Sequence, residues 1–223
     1  MSNLFLEHST VPKMTMLRVF FVISIAMSSF AAEDSDKDPK LMFEDGQKKA
    51  LSLGKKLSRR KLSLEKGDKL PGSLQEEVDA IVDLFTKSAE AGYAEAQHAL
   101  GGMYNVGYMV KEKNDALAIE YFTAAANQGK PESLSNLATM YKDGVGVERD
   151  IPKALELFEK AFVGGHETAA FNMASLYATG AGGHLEVNLQ KAQELLSAIP
   201  NFEGASEALS QVTAMIKQQS GEL

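Results

Sequence analysis

The chain has 223 residues, a formal net charge of −7 and no cysteine. Disulfides, thiolate metal sites and a cysteine nucleophile are thereby excluded. The four histidines (His8, His98, His166 and His184) are scattered and form no helical i, i+4 pair of the kind zinc sites use, so no metal or other cofactor is expected.

Residues 1–31 read as a signal peptide. Arg18 precedes an apolar run from Val19 to Met27, and Ser29-Phe30-Ala31 has the small-x-small pattern of a cleavage site. The run is shorter than the ~20 residues needed to span a bilayer. Met14 or Met16 as the start would give a compact signal. The expected mature chain begins near Ala32 and is periplasmic in a Gram-negative host or secreted, with the eukaryotic secretory pathway as the alternative.

Residues 32–72 form a charged segment, basic, and partly helical or flexible. Between residues 44 and 70 there are nine Lys/Arg against four Asp/Glu, a local +5. Leu51, Leu57 and Leu64 are spaced by six and seven, which gives the stretch an amphipathic cast. Two readings stand: a surface helix that binds anionic lipid or an acidic partner, or a basic cap or solvated linker beside the acidic remainder. Ser52-x-x-Lys55 and Ser63-x-x-Lys66 match the nucleophile motif of penicillin-recognising enzymes, but the partner motifs S-D-N and K-T-G are missing. A cell-wall or β-lactam-related hydrolase using either serine is the rival class to a binding protein.

From residue 73 the chain repeats. Tyr104, Tyr141 and Tyr177 are spaced by 37 and 36, and Gly107, Gly144 and Gly180 keep the same spacing. Ala118, Ala154 and Ala192 align next, with Phe122, Phe158 and Leu196 four residues on. Upstream, Ala80, Phe85 and Gly92 match the second half alone. The predicted solenoid spans 73–200: a half repeat at 73–92 and full repeats at 93–129, 130–165 and 166–200. Each unit reads as two helices. Ala96, Leu100, Gly101 and Tyr104 share one helical face, as do Ala118, Phe122 and Ala125. Small residues at the Gly101 register (Ala138 and Ala174 in the other units) predict close helix approach. One stripe per helix cannot be buried alone, so the units must stack.

The glycine loops between the helices do not predict phosphate binding. Gly107, Gly144 and Gly180 sit three residues after a helix, where a C-cap needs positive φ. Asn114, Asp150 and Asn188 sit where an N-cap is needed. A phosphate loop would need a preceding strand and a lysine at the helix start. Residues 71–223 carry ten Lys/Arg against 21 Asp/Glu, a local −11, which argues against a nucleic-acid ligand. Asp79 and Asp83 share a face near Glu76 and Glu77, and the helix dipole accounts for acids in those first turns. Residues 201–223 read as a capping helix, about Ala205 to Lys217, and a tail.

The segments "AEAQHALGGMYNVGYMV" and "GVGVERDIPKALELFEKA" resemble the Sel-1-like repeat, a relative of the tetratricopeptide repeat. The third unit departs most, with Met173 for Leu and Leu196 for the aromatic, and Met109 replaces the loop's second glycine in the first unit. The resemblance implies an all-α, right-handed α-solenoid of helix-turn-helix repeats. It further implies a non-catalytic, exported adaptor for a protein or peptide, tied to a cell-envelope or signalling complex. The family's asparagine position is Ala99, Asn136 and Asn172 here. Three residues on, the same exposed face adds Thr139 and Ser175. The position before it is His98, Ser135 and Phe171. The expected partner-binding set is therefore His98, Ser135, Asn136, Thr139, Phe171, Asn172 and Ser175, with asparagine amides for a peptide backbone and Phe171 as an apolar anchor. The alternative is that the asparagines only bond neighbouring helices.

Overall fold

The computed structural model describes residues 38–60 and 70–221. The expected signal peptide, Ser63 and Leu64 lie outside the described residues.

Among the described residues nine α-helices follow one another: α1 (Pro39–Arg60), α2 (Gly72–Glu90), α3 (Ala94–Val106), α4 (Asp115–Asn127), α5 (Pro131–Asp143), α6 (Ile151–Val163), α7 (Glu167–Thr179), α8 (Leu189–Ser197) and α9 (Ala205–Ser220). No strand occurs among the described residues. Each helix packs chiefly on its sequence neighbours, the arrangement of an α-solenoid. None of the described helices is long and apolar enough to cross a membrane.

Every repeat closes its loop in the same way. Gly107, Gly144 and Gly180 cap α3, α5 and α7 in the left-handed conformation. Asn114, Asp150 and Asn188 then cap α4, α6 and α8, each side chain accepting from a backbone N–H three residues on. The backbone N–H of each N-cap also donates to the carbonyl of the repeat's tyrosine: Asn114 to Tyr104 at 2.9 Å, Asp150 to Tyr141 at 2.9 Å and Asn188 to Tyr177 at 2.8 Å. These pairs are ten, nine and eleven residues apart. The closing bond is thus constant while the loop between varies.

The two helices of a repeat meet through a small residue and a large one. Phe122 packs so tightly on Gly101 that a Cβ there would lie 2.6 Å from the ring. The same relation joins Gly46 of α1 to Phe85 of α2, also at 2.6 Å. The half repeat is therefore completed by α1. Phe43 and Phe85 rings lie 5.0 Å apart, and the buried Ser88 hydroxyl donates to the Pro39 carbonyl at 2.6 Å. The described part of the basic segment is helical from Pro39 to Arg60 and belongs to the first helix pair. Its inward stripe is Met42, Phe43, Gly46, Leu53 and Leu57. The expected Leu51–Leu57 alignment is corrected, because Leu51 faces solvent on the opposite side. The spacing of six between Leu51 and Leu57 mixed two faces of one helix.

Candidate functional site

The expected site lies on α3, α5 and α7, the first helices of the three full repeats. Pro131 opens α5 with its fixed φ, and acids Glu95, Glu132 and Glu167 occupy the first turns, where they favour the helix dipole. The three helices thereby place equivalent side chains one repeat apart.

The seven expected residues divide. Asn136 and Ser175 are exposed, and Thr139 and Asn172 are half-buried. Neither asparagine amide is hydrogen-bonded to a described residue, so the reading in which they only tie helices together finds no bond of that kind. Thr139 turns its hydroxyl back to the Ser135 carbonyl at 3.0 Å. The Ser175 carbonyl likewise accepts from Thr179 at 2.8 Å, and Ser175 itself is exposed.

Of the other three, Ser135 needs correction because it is buried, and the half-buried His98 and Phe171 are engaged by neighbouring elements. Ser135 is 4% exposed, because α5 is flanked by both α4 and α6 and buries the whole arc from Ser133 to Ser135. His98 is committed to the next repeat: its Nδ1 and the buried Ser133 hydroxyl lie 2.8 Å apart, and its ring sits 5.7 Å from Phe122. Burial, and then the Lys130 ammonium, hold the His98 imidazole below its ordinary pKa. Phe171 is covered by Phe202, ring to ring at 5.3 Å, with Gly204 at 3.8 Å. The chain after α8 folds back onto it, so Phe171 packs half-buried against the C-terminal core. That return is set by the turn at residues 200–204, for which the repeat pattern has no counterpart.

Further polar contacts join helices within and between repeats. Gln128 donates to the Gln97 side chain at 2.8 Å and to the Gly92 carbonyl at 3.0 Å, and Gln97 donates to Ala89 at 3.1 Å. Arg149 reaches the Ala181 carbonyl at 3.0 Å. Long-range polar pairs of this type leave no trace in periodicity.

A cleft of ≈ 840 Å³ lies where the loop after α3 meets α2, and sequence reasoning did not foresee it. Met109 explains it. It occupies the register of Gly146 and adopts the same left-handed backbone, φ 62 against 71. Gly146 sits directly on α4, where a Cβ would come within 2.7 Å of Asp115. Met109 has a side chain to accommodate, and buries it to 9% exposure among α1, α2 and α3 residues. The rim holds Asp79, Asp83 and Glu112 beside Lys111 and Lys113. Lys113 is occupied, its ammonium lying 2.9 and 3.0 Å from the two Asp115 oxygens. The only sequence signal was the methionine at a glycine position.

Ser52 is exposed on α1, with Lys49, Lys56, Ser73, Glu76 and Glu77 lining the same shallow depression. Among the described residues no group of three or more His, Asp or Glu is placed to hold a metal ion.

Comparison with known proteins adds the following. The family model described as "Sel1 repeat" matches residues 94–130, 131–165 and 168–198. "DAP3-binding cell death enhancer 1" of Rattus norvegicus is 31% identical over 123 residues, which cover 54% of this chain and 24% of that protein. "Cytochrome c oxidase assembly factor 7A" of Xenopus laevis is 31% identical over 129 residues, 56% of this chain and 55% of that protein. The chain thus spans between a quarter and about half the length of these relatives. The crystal structure of a Sel1 repeat protein from Oxalobacter formigenes superposes with a TM-score of 0.62 at 20% identity, covering 90% of this chain and 74% of that one.

Proposed function

This chain is a Sel1-repeat protein, and from that premise we propose that it is a non-catalytic adaptor holding a protein or peptide segment on the face formed by α3, α5 and α7. The observation that carries this reading is the pair Asn136 and Asn172. They occupy the same register of successive repeats, 36 residues apart, and their amides make no hydrogen bond with a described residue, while the neighbouring Ser135 is buried and Phe171 packs on Phe202. An amide both donates and accepts, which suits the backbone of an extended segment. Thr139 and Ser175 flank the pair. Relatives named for binding and for assembly support the class of function.

The proposed setting is the cell envelope, as a regulator of an envelope or signalling complex, reached through the signal peptide of residues 1–31. Fractionation with N-terminal sequencing tests the export: a mature start near Ala32 is expected, and an uncleaved cytoplasmic chain overturns it. Binding is tested by crosslinking in the native cell and mass spectrometry, repeated with the Asn136→Ala/Asn172→Ala variant. A directly captured partner should be lost or bound about ten-fold more weakly. Full retention of every captured partner by a variant of unchanged helicity overturns this face as the binding surface.

A further inference from the structure

α1 stands at the N-terminal end of the described stack, and its surroundings differ from those of every other first helix. α3 lies between α2 and α4, α5 between α4 and α6, and α7 between α6 and α8. α1 packs on α2, with Phe43 reaching Tyr93 at 5.4 Å, and α2 is the only described helix packed extensively on it. The place that a preceding second helix would fill is open among the described residues.

The open side has its own chemistry. Residues 47–60 hold six Lys/Arg and no Asp/Glu. Lys56 pairs with Glu77 at 2.7 Å and Lys49 with Asp45 at 3.0 Å, whereas Lys48, Lys55 and Arg59 are exposed and make no ion pair with a described residue. Leu41 and Leu51 share this side, 60% and 65% exposed.

Gly54 provides a second, independent observation. Glycine in the middle of a helix is unfavourable. For Gly46 the reason is visible in the Phe85 ring. A Cβ at Gly54 would meet nothing within 4 Å, so no contact among the described residues requires glycine there. With Ala50, Leu51, Lys55, Ser58 and Arg59 it forms a shallow groove of ≈ 500 Å³, and the bare Cα leaves room for an approaching ridge.

We propose that this face of α1 binds an acidic amphipathic helix of a protein partner, seated as the second helix of a preceding repeat would be. Apolar side chains of the partner enter the groove at Leu51 and Gly54, and its carboxylates meet Lys48, Lys55 and Arg59. Charge complementarity selects an acidic partner. A lipid surface fits less well, because a membrane-bound helix buries a continuous apolar stripe, and the one on α1 is already spent on α2. A second copy stacked end to end fits less well too, since α9 at the other end carries a single Glu207 and a single Lys217.

The test uses the full chain and a fluorescein-labelled amphipathic peptide with leucines at i, i+4, i+7 and i+11 and glutamates on both flanks. The control is the same composition scrambled. Anisotropy should show binding of the patterned peptide, at least about ten-fold tighter than the scrambled one, with attenuation at high salt. Lys48→Glu/Lys55→Glu/Arg59→Glu should weaken it by about ten-fold or more. Gly54→Leu should weaken it about five-fold by filling the groove, and since leucine strengthens a helix, that loss is not an unfolding effect. Asn136→Ala/Asn172→Ala should change nothing, which separates this site from the inner face. Equal binding of both peptides, no binding, indifference to Gly54→Leu, or stronger binding to vesicles of one part phosphatidylglycerol and three parts phosphatidylcholine would each overturn the proposal.

Discussion

The ring of Phe122 lies against the bare Cα of Gly101, so close that a methyl group there would stand 2.6 Å from Cδ1. In the next repeat the same positions are Ala138 and Phe158, both fully buried. The α3–α4 pair is therefore seated more closely than a Cβ permits, while α5–α6 accepts one. Gly101→Ala should destabilise the protein by up to about 2 kcal/mol, because an overpacking cost of about 1–3 kcal/mol exceeds the roughly 1 kcal/mol of helix propensity gained. Gly101→Ala/Phe122→Leu should recover part of the loss, since Ala174 and Leu196 form that pair in the third repeat. Thermal melts decide it, and a raised Tm for the single variant would contradict the packing account.

The three N-caps make a matched set. Asn114→Ala, Asp150→Ala and Asn188→Ala should each cost about 1 kcal/mol, the usual value of a side-chain cap. Their backbone N–H bonds to the tyrosine carbonyls survive the change. Urea titration should show lower midpoints with unchanged slopes, and no effect at two of the three sites would refute the assignment.

Met109 and Gly146 share a backbone conformation but not an environment. Met109→Gly relieves a left-handed strain of about 1–2 kcal/mol, yet removes a buried side chain worth about 2–3 kcal/mol. A net loss of about 1 kcal/mol is expected, together with a wider cleft. Gly146→Met drives its Cβ into Asp115 and should be much the more damaging of the two. If the two substitutions prove equally costly, close packing of this loop on α4 is not what requires the glycine.

His98 carries a pH signature. Its folded pKa is lowered from 6.5 by burial and by Lys130, with Glu132 and Glu95 opposing and His166 adding to the fall. The unfolded chain then takes up a proton before the folded chain does. This contribution to stability is present above the unfolded value and lost as pH falls from 6.5 towards the folded pKa. Denaturant midpoints between pH 7 and pH 5 should decline for the wild type and decline less for His98→Gln. Identical slopes would rule out His98 as the source.

Phe171 and Phe202 should couple. If Phe171 is a core residue, the double-mutant cycle with Phe171→Ala and Phe202→Ala should return about 0.5–1.5 kcal/mol of interaction, as tilted aromatic pairs do. A free ligand anchor would return none.

Much of this architecture was legible in the sequence because it is local. The repeat of Tyr104, Tyr141 and Tyr177, the capping glycines and the N-caps each act over one or two helical turns, so spacing alone located them. Asn136 and Asn172 lie where the family register put them. The rest depends on what packs against what. Ser135 and Asn136 are adjacent in sequence, yet flanking helices bury one and spare the other. Phe171 is half-buried because the chain after α8 returns onto it, bringing Phe202 to its ring. The half repeat gains its first helix through Gly46 and Phe85, across a connection too long to keep the period. Local pattern therefore specified the helices and their order, and the register of side chains between helices, set by excluded volume and paired burial, decided which surfaces remained free to bind.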